Sequence, residues 1–130
     1  MKNLPQIGDV RIYKKRIEEA DVAAFNGEVL HTVYSTFAMA RDMEWSSRLF
    51  FLEMKEHDEE GVGTHLSIDH LAPAFVGEEL VILAKVISLT GNELICDIEV
   101  KVGERVVAKG KTGQRMLKKD RLNKLFIKNN

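Results

Sequence analysis

Cysteine is almost missing from this chain: its 130 residues include one, Cys96, so no disulfide can form within it, and a reducing, cytoplasmic setting is expected. An excess of one charge is missing too. Nineteen Lys and Arg stand against 20 Asp and Glu, and a formal net charge of -1 provides no general field for nucleic acid. No apolar run approaches the roughly 20 residues that span a bilayer, so no membrane partner is expected. The opening MKNLPQIGDV lacks the apolar core of a signal peptide. No H-x-x-x-H, no C-x-x-C and no glycine-rich phosphate loop occurs, and Asp69 and His70, adjacent in a strand, face apart. Neither a metal site nor a cofactor is expected.

What is present is ordinary globular composition, 45% hydrophobic and 30% charged. The length favours one domain, 1–130, with a basic tail at 118–130 in which Leu122, Leu125 and Phe126 fit a short amphipathic helix. The chain is organised around TFAMARDMEWSSRLFFLEM, residues 36–54, which reads as a helix. Steps of three and four residues join Ala40, Met43, Glu44, Ser47, Phe51 and Met54 into a mostly apolar stripe. Ser35 or Thr36 is the expected N-cap, and Gly61 and Gly63 in EHDEEGVG are expected to reverse the chain after the helix.

Before that helix, residues 10–17 read as an edge strand with Val10, Ile12 and Tyr13 as apolar members. Residues 20–25 read as a short helical turn ended by Gly27, and residues 28–35 as an entry to the main helix. After Gly63 the apolar period changes to two. Leu66, Ile68 and His70 share one strand face; Leu80, Ile82, Ala84 and Val86 follow, then Leu94, Cys96, Ile98 and Val100, then a strand over 106–116 with Gly110 and Gly113 as bulges or points of close approach. Pro73 and Gly77 break the first of these runs, and turns at Thr90-Gly91-Asn92 and Gly103-Glu104 join the rest as antiparallel neighbours. The fold expected is α+β, a long helix covering a curved antiparallel sheet. Apolar residues on both faces of 80–89 call for a second subunit, so a homodimer, or a tetramer of paired dimers, is expected.

The chemistry centres on Glu44. A carboxylate inside an apolar stripe must either take up a proton or find a partner, which could be Trp45, Arg48, a nearby amide or His70. His70 lies on the strand face that meets the helix, and an imidazole beside a carboxylate makes an acid–base pair. Thr36 lies at the helix mouth, where it is either a cap or a reactive hydroxyl. Thr36 and Glu44 are eight residues apart, about 12 Å of helix rise, so they cannot touch within one straight helix. Either Thr36 precedes the helix, or two protomers supply parts of one site. Cys96, among core aliphatics, reads as a small hydrophobe.

Three segments, VYSTFAMARDMEW (33–45), GTHLSIDHLAPAFVG (63–77) and GKTGQRML (110–117), resemble in order and spacing the hotdog-fold thioesterases of the fluoroacetyl-CoA thioesterase type. The resemblance runs from about residue 8 to 118 and implies a hotdog fold and hydrolysis of an acyl-CoA or related acyl thioester at a dimer interface. It implies Thr36, Glu44 and His70 as catalytic residues, and Gly63, Thr64, Phe37 and Arg115 as substrate-binding residues. The chain departs from that pattern at Phe37, where a small Gly stands in the defluorinating type, at the charged Arg41 and Asp42, and at Ala74-Phe75-Val76-Gly77, which replaces a Pro-rich turn. These departures imply a short or medium acyl group other than fluoroacetyl. The rival expectations are an acyl-CoA hydratase or dehydratase and a non-catalytic acyl-CoA-binding module.

Overall fold

Ser35 sets the start of the central helix in the computed structural model, which describes residues 1–127. Its hydroxyl accepts from the Ala38 amide at 2.9 Å and caps α1, Thr36–Met54. Because Ser35 takes the cap, the Thr36 hydroxyl is left for a tertiary contact. Met39, Met43, Phe50, Phe51 and Met54 face inward at three- and four-residue steps and are fully buried. Glu44 is not among them. It lies at the margin of the buried face, beyond Phe51, and is exposed. The buried carboxylate of the helix is Asp42, so the expectation of a buried Glu44 is corrected.

The strands are β1 (Val10–Arg16), β2 (Val22–Phe25), β3 (Glu28–Tyr34), β4 (Glu59–His70), β5 (Glu79–Thr90), β6 (Glu93–Val102) and β7 (Arg105–Lys118). A last helix, α2, spans Lys119–Phe126. Five strands form one antiparallel sheet in the order β1-β5-β6-β7-β4. The period-two pattern sets its inner face: Leu80, Ile82, Ala84 and Val86 of β5, with Leu94, Cys96, Ile98 and Val100 of β6, are buried against α1. Burial raises the Cys96 thiol to about 12, which makes it an inert packing group. Gly110 is a point of close approach, since a Cβ there would stand 1.9 Å from the Ser67 carbonyl oxygen.

Four expectations change. Residues 20–35 are not a helical turn and a lead-in. After a single 3-10 turn at Glu19–Asp21, β2 and β3 pair as a hairpin, and Asn26 and Gly27 close it with φ of 53° and 80°, the left-handed pair that a tight hairpin turn needs. The edge position of β1 is as expected, but Arg11, Tyr13 and Lys15 turn inward while Val10 and Ile12 are exposed. Gly61 and Gly63 do not reverse the chain. Lys55 ends the helix, and both glycines lie within β4, where a Cβ on Gly61 would come 2.3 Å from the Phe51 ring. Finally, β4 and β5 are sequential without being neighbours, because residues 71–78 carry the chain across and β4 pairs with β7.

In the tail, Leu122 is buried while Leu125 and Phe126 are exposed; residues 128–130 lie outside the described residues. No helix among the described residues is long and apolar enough to cross a membrane.

Candidate active site

Alternation along β4 places Gly61, Gly63, Leu66, Ile68 and His70 on the side that faces α1, because Gly63 pairs with the inward Gln114, and Leu66 with the inward Thr112. The register slips between Gly63 and His65, so Thr64 sits at a bulge. At the far end of the strand, the His70 Nδ1 lies 3.0 Å from the Thr36 Oγ1. This hydroxyl–imidazole pair is open to solvent and is made by the first residue of α1 and the last of β4.

A cavity of about 510 Å³ adjoins Thr36, between β2 and the first turn of α1. Its walls are mainly small and apolar, including Ala23, Ala24, Phe25 and Ala38. Phe37 lines it and is 80% exposed.

Glu44 occupies a different cleft, of about 530 Å³, where the two edge strands of the curved sheet approach across the helix. Tyr13 and Lys15 come from β1, and Gly61 and Gly63 from β4; Trp45 stands beside Glu44, its ring edge-on to Tyr13. The Glu44 Oε2 lies 3.8 Å from where a Gly63 Cβ would be, so no side chain separates the carboxylate from the β4 backbone. Below it, Ser47 donates to the Glu44 carbonyl oxygen at 3.1 Å and accepts from Thr112 at 2.9 Å and Gln114 at 2.8 Å.

Thus Thr36 and His70 are brought together, and Glu44 and Gly63 are brought together, in two separate clefts of one chain. Thr36 is inside α1, which removes the alternative that it precedes the helix. Thr64 and Arg115 form a third group on the opposite sheet face: Thr64 donates to Glu93 at 3.1 Å, and Arg115 is 3.4 Å from the same carboxylate. Among the described residues no group of three or more His, Cys, Asp or Glu is arranged to hold a metal.

A charge cluster built around two buried carboxylates is not legible in the sequence. Lys15, Asp21, Arg41 and Asp42 meet beside Tyr34 between the two clefts. Adjacent Arg41 and Asp42 look like a solvated surface pair, and only tertiary folding brings Lys15 and Asp21 to them.

The family profile described as fluoroacetyl-CoA-specific thioesterase matches residues 17–120. None of the curated proteins matches the chain. Among solved structures, a hypothetical protein of Thermus thermophilus, a thioesterase superfamily member, is similar at 26% identity, with TM-score 0.90 over 97% of this chain and 93% of that one. A point mutant of the fluoroacetyl-CoA-specific thioesterase FlK is similar at 17% identity, with TM-score 0.87 over 95% of this chain and 96% of its own. A hot-dog-like protein from Thermanaerovibrio acidaminovorans is similar at 20% identity, with TM-score 0.84 over 95% and 94%. The fold is the hotdog fold.

Proposed function

The chain belongs to the fluoroacetyl-CoA-specific thioesterase family, and from that membership we propose that it hydrolyses the thioester of a short or medium acyl-CoA, other than fluoroacetyl-CoA, at a site shared between two copies of the chain. The observation that carries the reading is the 3.0 Å pair of Thr36 Oγ1 and His70 Nδ1 beside the cavity under β2. The imidazole accepts the hydroxyl proton and raises the nucleophilicity of Thr36 or of a water held by it. Attack on the carbonyl carbon gives a tetrahedral oxyanion, and first-turn amides of α1 not taken by the Ser35 cap stabilise it. The C–S bond then breaks and the thiolate takes the proton from the imidazole; where water attacked, the acid is formed at once, and where Thr36 attacked, a water deprotonated by His70 cleaves the acyl–Thr36 ester and the proton returns to the Thr36 oxygen. Glu44 orients the water for the hydrolytic step.

Sharing the site supplies what one chain lacks. The edge strand β4 is 12 residues long, and among the described residues only β7 pairs with it. Between Gly61 and Ile68 it carries no Asp, Glu, Lys or Arg, the usual protection of a free edge. Antiparallel pairing of two β4 strands about a two-fold axis near their middle sets His70, about five positions from that axis, opposite the other end of the second strand. There the partner's Gly61 and the partner's Gly63 floor the second Glu44 cleft. Phe37 then walls the acyl group, Gly63 admits the thioester close to the backbone, and Thr64 and Arg115, beside the same edge, meet the polar part of the thiol carrier. A cytoplasmic setting accords with a single, buried Cys96 that has no partner within the chain.

The test is a panel of acyl-CoA thioesters of graded chain length, read with a thiol reagent. Free thiol is expected, with His70→Ala lowering turnover about a hundredfold or more while the chain stays folded. Hydration of the acyl chain without thiol release, or tight binding without turnover, would reject the proposal.

A further inference from the structure

Asp21 and Asp42 are each 3% exposed, which makes them the two most buried charged side chains among the described residues. Tyr34, fully buried, donates its hydroxyl to Asp42 Oδ2 at 2.6 Å. Lys15 Nζ is 3.1 Å from Asp42 Oδ2 and 3.1 Å from Asp21 Oδ1. Arg41 donates from Nε to Asp42 Oδ1 at 3.1 Å and from Nη2 to Asp21 Oδ1 at 2.9 Å. The Asp21 carbonyl oxygen in turn accepts from the Ser35 amide at 2.9 Å, and the Tyr34 amide donates to Ala74 at 2.9 Å. Four parts of the chain meet here: β1, the turn before β2, the end of β3 and the second turn of α1.

Stability alone does not account for such a group. Taking two carboxylates out of water costs about as much as pairing them with the half-buried Lys15 and the exposed Arg41 returns, and well-packed apolar residues often serve as well. What the group does is geometric. Tyr34 immediately precedes the cap Ser35 and the reactive Thr36, so whatever fixes Tyr34 also fixes the path by which the chain enters α1. Asp42 reaches back to Tyr34 from eight residues on and ties that entry to the body of the helix. Burial raises the Tyr34 phenol far above its ordinary value, with the Asp42 hydrogen bond acting the same way, so the hydroxyl remains a donor.

We propose that Asp42, acting through the Tyr34 hydroxyl, is a positioning residue that holds the entry to α1 so that Thr36 Oγ1 meets His70 Nδ1. This rests on Thr36 and His70 being the reacting pair of the thioesterase reading.

Tyr34→Phe tests it, since it removes one oxygen and keeps the ring and the ionic group. Two readouts separate positioning from plain structure. The first is turnover of the best acyl-CoA, where kcat is expected to fall tenfold or more with KM within about twofold. The second is the 15N signal of the His70 imidazole, assigned with His70→Gln, which is expected to move to its position in Thr36→Ala. Asp42→Asn, which keeps an acceptor for Tyr34 but loses the charge, is expected to melt lower yet keep the wild-type His70 signal. An unchanged His70 signal and kcat in Tyr34→Phe would overturn the proposal, as would loss of folding in that variant or loss of the signal in Asp42→Asn. If no thioester is turned over at all, the function fails while the His70 signal still decides the positioning.

Discussion

Ser47 shows how much one hydroxyl can hold in this core. It is 1% exposed and bonded to the Glu44 carbonyl, Thr112 and Gln114 at once. Ser47→Ala leaves the buried Thr112 hydroxyl without its acceptor and is expected to cost about 1–3 kcal/mol. A lower urea midpoint with an unchanged slope is the expected reading. At this scale the sequence was partly legible. Glu44 and His70 stand out because polar groups interrupt apolar patterns, Thr36 only as a hydroxyl at the helix mouth that the family resemblance singles out, and the Thr36–His70 contact joins two of the three. Glu44 was singled out on a premise of burial that the structure reverses. The carboxylate that is buried, Asp42, reads in the sequence only as a charged departure beside Arg41, because its partners Lys15 and Tyr34 lie on other elements and no local pattern reports them.

The junction of α1 and β4 carries a pH-dependent tie. Glu60, at the start of β4, is held down from 4.5 to about 2 by its hydrogen bond to Lys55; burial opposes this, and the Gly61 amide and Arg48 reinforce it. Lys55 and Arg48 lie at and near the helix end, so the carboxylate ties the helix to the strand. A folded-state value below the unfolded one contributes stability that is full above the unfolded value and lost as pH falls through about 2. Glu60→Gln is therefore expected to lower the urea midpoint at pH 7, with the gap to wild type narrowing below about pH 4.5 and closing near pH 2. No change at pH 7 would show that the tie contributes nothing. The bounds of α1 were legible because its cap and its apolar period agree. The β2–β3 hairpin was not: Ala-rich residues 20–25 suggest helix, although Asn26-Gly27 is the stronger local signal for a hairpin.

The whole molecule is a sheet curled around one helix, with two edges left to meet. Period-two apolar runs made the strands legible. Neighbour order was not legible, because it depends on which way residues 71–78 cross and not on any pattern within the strands. The spacing in the sequence shows that Thr36 and Glu44 cannot touch within one straight helix, but not which clefts they line; sharing the two clefts between two copies is the proposed arrangement. Mixing two inactive variants, Thr36→Ala and Glu44→Ala, unfolded together and refolded as one population, tests that arrangement most directly. If each site takes Thr36–His70 from one protomer and Glu44 from the other, half the dimers carry one intact site, and thiol release from acyl-CoA should return to roughly a quarter of wild type. A refolded mixture no more active than the separate variants would contradict the shared site.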